Sequence, residues 1–170
     1  MARKTSLREY QLSVANRLRD LATRKAVASM LGFQVGTERW FVDLTDISEV
    51  IPVPAIMPVP LTQDWFCGVA NVRGTLYSIA DFAAFQGQAA IGSGVERRVI
   101  LISEKRISGS GLLVNRMLGL RNPDQFSSDT DSQPAPPWVK GVYRDPNGER
   151  WHWLHTEALV RDERFLEAGR

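Results

Sequence analysis

The sequence predicts a mainly β chain, folded as small barrels or sandwiches with a helix at each end. Eight to ten short strand-like runs are separated by turns at regular intervals, and no long helical pattern alternates with them. Trp65-Phe66-Cys67-Gly68-Val69 is echoed by Trp138-Val139-Lys140-Gly141-Val142, and each copy leads into a tight turn, a return strand and a short helix. Such a repeat predicts two similar lobes. The length of 170 residues suits one domain or two small lobes sharing a core.

Residues 6–28 read as an amphipathic helix. Ser6 and Glu9 form a capping box, and Leu7, Tyr10, Val14, Leu18 and Leu21 make one apolar stripe. The plain reading packs this stripe on the body; a basic helix can also meet a partner. Met30 to Val35 and Arg39 to Val42 form a hairpin around Gly36-Thr37-Glu38. Leu44, Ile47 and Val50 recur at helical spacing, so Asp43 to Val50 reads as one or two helical turns. Pro52, Pro54, Pro58 and Pro60 then impose an extended connector, because proline can neither donate to a ladder nor continue a helix.

Gly68 to Ile79 reads as two strands around an Asn71-to-Gly74 turn, followed by a short helix at Asp81 to Phe85. Gly87 to Gly94 is a mobile Gly-rich loop, and Val99 to Ile102 is a continuous apolar strand. Leu112 to Leu120 carries further strand content, and residues 122–137 form a long exposed loop. Asp145-Pro146-Asn147-Gly148 turns a last hairpin from Trp138–Tyr143 into Trp151–Leu154. Residues 155–168 finish as helix.

Apolar residues at 44% and charged residues at 24% are globular values, which excludes a wholly disordered chain. The longest apolar runs are too short to span a bilayer. A net charge of +2 gives no electrostatic case for nucleic acid, although Arg3, Lys4, Arg8, Arg17, Arg19, Arg24 and Lys25 make the first 30 residues basic. The single Cys67 cannot form an internal disulfide and suits a reducing compartment; no signal peptide is apparent, so a cytoplasmic location is expected.

No arrangement of residues predicts catalysis. His152 and His155 lack the spacing and companions of a metal site. Ser93 and Ser110 lack a nucleophile elbow, and Gly92-Ser93-Gly94 lacks the lysine and helix of a phosphate loop. Cys67 reads as an inert thiol in an apolar stretch. Asp43 and Asp46 read as acids at a helix start, and Trp40, Trp65, Trp138, Trp151 and Trp153 as core fillers. Glu49 and Arg73, beside a connector and a turn, read as a structural ion pair. No metal or cofactor is called for, and what remains is a binding module.

Gly68-Val69-Ala70-Asn71-Val72-Arg73-Gly74, followed by Ile79 and Asp81, resembles the signature of the CheW-like chemotaxis coupling proteins. Ile47 to Ile51, Val99 to Leu120 and Trp138 to Leu159 resemble further elements of that family in the same order. Ser78 stands where the family usually has proline. The N-terminal helix and the Gly68–Gly74 run look most like members that serve type IV pilus (twitching) systems. The resemblance implies two five-stranded SH3-like β-barrel subdomains over residues 29–168, with 1–28 a helical extension. It implies a non-catalytic scaffold between the cytoplasmic tip of a methyl-accepting chemotaxis receptor and the regulatory domain of a CheA-type histidine kinase. Such a protein works at receptor arrays beneath the inner membrane without inserting in it. By the same resemblance Ile47, Glu49, Gly68 and Arg73 line or support the receptor groove. Arg73 would pair with Glu49, a partly buried pair being costly to break, and Gly68 would permit a close backbone approach. The competing expectation is a small-barrel nucleic-acid binder using the basic N-terminal helix.

Overall fold

Strand formation follows the runs of β-branched and aromatic residues, and two sheets result. The computed structural model describes residues 12–17, 30–131 and 134–170. Of the expected N-terminal helix, 12–17 is helical (α1), with Val14 exposed; its remainder lies outside the described residues. Then come β1 (Met30–Val35), β2 (Glu38–Asp43), a 3-10 turn (Leu44–Asp46), β3 (Ile47–Pro52), β4 (Phe66–Val72), β5 (Thr75–Asp81) and α2 (Phe82–Phe85). The chain continues through β6 (Arg98–Ile102), β7 (Ser110–Val114), β8 (Arg116–Arg121), a 3-10 turn (Pro123–Gln125), β9 (Ser127–Ser128), β10 (Val139–Arg144), β11 (Arg150–Leu154), α3 (Thr156–Leu159) and α4 (Glu163–Leu166).

The sheets run β8-β1-β2-β11-β10-β9 and β3-β6-β7-β5-β4. Setting aside the two-residue β9, they share one pattern: an antiparallel trio, a parallel step, then a hairpin. The parallel steps are β2 to β11 and β7 to β5. The repeat seen in the sequence is therefore architectural. The hairpins β4–β5 and β10–β11 carry the two W-x-x-G-V copies, each with a register shift at its glycine. Trp65 O accepts from Asp81 N at 2.7 Å and Trp138 O from His155 N at 2.8 Å, so each repeat tryptophan ties down the residue that starts a short helix. Val69 O accepts from Met57 N and Val142 O from Asp129 N, so each hairpin also holds the connector before it.

Among the described residues, three apolar clusters explain why two sheets make one body. Ile51, Ala70, Ile79, Val99, Leu101 and Leu113, from all five strands of the second sheet, pack together on one of its faces. Met30, Phe41 and Trp151 do the same in the first sheet. Between the lobes lies a shared core with Phe33, Trp40, Phe82, Phe85, Ile100, Ile102, Leu112, Trp138 and Leu154. Strand β6 alternates Val99 and Leu101 into its own lobe with Ile100 and Ile102 into the shared core, which is why it reads as continuously apolar. Trp65 and Trp138 both pack on Phe85, at ring-centroid distances of 5.3 and 5.0 Å.

Several expectations are corrected. The helical spacing at 44, 47 and 50 gives a single 3-10 turn and then β3, because the register shift between Ile47 and Glu49 makes Ser48 an extra residue. A bulge turns a spacing of three into one face of a strand, which mimics a helix in sequence. The segment 122–137 is not uniformly exposed, since it contains β9 and buries Asp129 beside Arg144 and Arg150. The C-terminal helix is two helices, because Asp162 accepts from Arg164 N and caps a new start. The Gly-rich loop is pinned at Ile91, whose N–H donates to Asp81 Oδ2 at 2.7 Å.

Candidate partner-binding site

The β4–β5 hairpin turns through Arg73 and Gly74, flanked by the pair Val72 and Thr75. Both turn residues have positive φ, +51° and +87°, the geometry of a type I′ turn. Asn71 Oδ1 accepts from Gly74 N at 2.8 Å and closes it. Glycine is suited to the second position, but an arginine at the first carries left-handed strain that Asn or Gly would avoid.

That arginine forks onto Glu49. Its Nη1 lies 2.7 Å from Oε2 and its Nη2 2.6 Å from Oε1, a bidentate pair. Glu49 sits on β3 and Arg73 at the tip of β4–β5, at opposite ends of the five-strand order. The clasp thus joins the two edges of a curled sheet. The pair lies at the surface: the Arg73 and Glu49 side chains are 73% and 37% exposed. The hydrogen bonds from Arg73, helped by its charge, hold the Glu49 carboxyl below its ordinary value against an opposing effect of desolvation. In water such a pair contributes little to stability, so the clasp presents a fixed charged surface.

Gly68 has φ +130°, and a Cβ there would stand 2.1 Å from Met57 O. The missing side chain lets the proline connector pair with β4, through Met57 N to Val69 O at 2.8 Å and Val69 N to Met57 O at 2.9 Å. Held this way, the connector shows Met57 and Leu61, 63% and 82% exposed. Ile47 is half-buried against the shared core, so it supports β3 beneath Glu49. The four residues named from the sequence therefore divide into a joined pair, a close backbone approach and a half-buried support.

Among the described residues no group of three His, Cys, Asp or Glu is placed to hold a metal. Cys67 is half-buried, and desolvation pushes its thiol up to about 11. Asp81 is a structural cap whose Oδ1 accepts from Ala84 N. His155 starts α3. His152 lies on Trp40, ring centroids 4.8 Å apart, at the wall of a cleft of about 410 Å³. Desolvation is the largest influence on His152 and pushes its imidazole below the ordinary 6.5. The unfolded chain then binds this proton before the folded one does, so stability present above pH 6.5 is lost as pH falls from there toward the folded value. Thermal melting is expected to be level above roughly pH 7.5 and to drop below it, and His152→Phe, which keeps a ring on Trp40, should flatten that step.

Two buried carboxylates escape a reading of the sequence, Asp129 and Asp46. Asp46, which reads in sequence as a helix-start acid, is 5% exposed and accepts from Arg106 Nε at 2.7 Å. Its partner is 60 positions away on the β6–β7 turn, and no local spacing announces it.

Comparison with known proteins agrees with this architecture. The family described as CheW-like domain matches residues 29–164. Protein PilI of Pseudomonas aeruginosa is 28% identical over 157 residues, covering 87% of this chain and 85% of that protein. Chemotaxis protein CheW of Rhizobium meliloti is 30% identical over 107 residues, 63% of this chain and 66% of that protein. The crystal structure of the scaffolding protein TtCheW from Thermoanaerobacter tengcongensis superposes with a TM-score of 0.62 at 19% identity, covering 74% of this chain and 86% of that one.

Proposed function

This chain belongs to the CheW-like domain family, and from that premise we propose that it is a non-catalytic adaptor joining a methyl-accepting chemotaxis receptor to a CheA-type histidine kinase. The likeness to PilI along most of both chains supports placing it in a chemotaxis-like system that governs type IV pili and twitching. The observation that carries the reading is the Arg73–Glu49 clasp. An exposed bidentate pair on a strained turn adds little to folding, and it holds two sheet edges in a fixed relation that a partner can recognise. Glu49 and Arg73 meet the receptor tip, Gly68 holds the connector beside them, and Ile47 supports β3 from below. The regulatory domain of the kinase, itself a pair of like-shaped barrels in this family, docks elsewhere on the lobes. Among the described residues no helix is long and apolar enough to cross a membrane; the adaptor reaches receptor arrays beneath the inner membrane by binding, with no cofactor or metal.

The test is co-sedimentation of the purified chain with a receptor cytoplasmic domain and with a kinase regulatory domain, at low and physiological salt. Both are expected to capture it, and Glu49→Gln should weaken capture by the receptor domain alone. Capture by neither partner at either salt concentration refutes the adaptor.

A further inference from the structure

Where the chain leaves the six-stranded sheet for the five-stranded one, it is held at one residue. Asp46 closes the 3-10 turn between β2 and β3. Its carbonyl accepts from Ser103 N at 2.9 Å, and its carboxylate accepts from Arg106 Nε at 2.7 Å. Both donors belong to the β6–β7 turn. The bulge of β3 follows at once: Ile47 pairs with Ile102, Glu49 with Leu101, and Ser48 Oγ donates to Leu101 O at 3.3 Å. A bulge sets the direction of the side chains around it, here Glu49 toward Arg73.

The same guanidinium has a second carboxylate. Arg106 Nη1 donates to Glu157 Oε2 at 3.2 Å, and Glu157 Oε1 is 2.7 Å from Arg161 Nη2. Glu157 lies on α3, directly after the last strand of the other lobe. The two carboxylates differ in one respect: Asp46 is nearly out of water, whereas the Glu157 side chain is 40% exposed. Arg106 is thus shared between a buried acid that fixes the start of β3 and an exposed acid that a partner can reach.

Resting on the adaptor reading above, we infer that Arg106 is a positioning residue which couples α3 of one lobe to the Glu49–Arg73 clasp of the other. A protein partner that engages Glu157 with its own cation frees Arg106 to bind Asp46 alone, and the shift is passed through the β3 bulge to Glu49. Contact on α3 thereby changes affinity for the receptor tip with no contact at the clasp. A coupling of this kind is reciprocal.

The experiment is a mutant cycle read two ways: by affinity for a receptor cytoplasmic domain, and by the Arg73 Nε–H resonance in the free protein. Glu157→Gln is expected to change affinity roughly two- to fivefold and to move the Arg73 resonance. Arg106→Gln is expected to weaken binding about tenfold, and adding Glu157→Gln to it should change neither readout further. Arg106→Lys, which keeps a charge for Asp46 but loses the fork, should restore affinity and remain deaf to Glu157→Gln; it replaces Arg106→Gln in the cycle if that variant does not melt cooperatively. Additive effects, or an Arg73 resonance indifferent to Glu157→Gln, overturn the coupling. If the wild-type chain binds no receptor domain, the adaptor reading falls, and the resonance alone decides the role of Arg106.

Discussion

Gly68→Ala is expected to lower thermal stability by about 3 kcal/mol, or roughly 6–12 °C in melting temperature for a chain of this size. Two costs combine. Alanine at φ +130° is in a region that residues with a side chain rarely adopt, and its Cβ would stand 2.1 Å from the Met57 carbonyl oxygen and 2.7 Å from its carbon. The obstruction is backbone, so no rotamer change relieves it. The connector must lift from β4, losing the two hydrogen bonds between Met57 and Val69. The repeat supplies the control. Gly141 occupies the corresponding register shift in β10, yet the atoms nearest a Cβ there are the ring and hydroxyl of Tyr143, at 2.9 to 3.2 Å. A side chain can turn away, so Gly141→Ala should cost well under half as much. Differential scanning calorimetry of the two variants checks the contrast; equal losses would mean that the connector is not what Gly68 accommodates.

The two glycines also show what was legible. W-x-x-G-V could be seen twice along the chain because a register shift needs a small residue at a fixed place and a tryptophan before it must reach the shared core. Turn chemistry at Asn71–Gly74 and Asp145–Gly148 was visible for the same reason: positive φ restricts the residue type. Features set by contacts distant in sequence were hidden. The bulge at Ser48 gave Leu44, Ile47 and Val50 a helical rhythm, and only pairing with β6 makes them strand. Asp46 looked like a helix-start acid until the β6–β7 turn brought Arg106 to it. Asp129 appeared to sit in an exposed loop until Arg144 and Arg150 came beside it. The site was half legible. Arg73 and Glu49 read as an ion pair from their places beside a turn and a connector as well as from the resemblance, but their exposure depends on how far the five-stranded sheet curls, which no local pattern records.

That exposure governs the second large effect. Arg73→Asn is expected to leave melting unchanged or raise it by roughly 2–4 °C, because asparagine tolerates the left-handed conformation that arginine is forced to hold. The same change is expected to weaken capture of a receptor domain at least about tenfold, the loss typical of a central arginine in an interface. The opposite signs are informative. A clasp that served folding would lose stability when cut, whereas a surface kept for recognition loses binding and gains stability where its strain is released. Glu49→Gln separates the two contributions, since it removes the charge from β3 without altering the turn: melting should stay level and capture should fall as it does for Arg73→Asn. The double variant should bind no more weakly than either single one, because the two side chains act through one fork. A drop of several degrees for Arg73→Asn would instead make the pair a staple between sheet edges, and the recognition surface would have to lie elsewhere on the lobes.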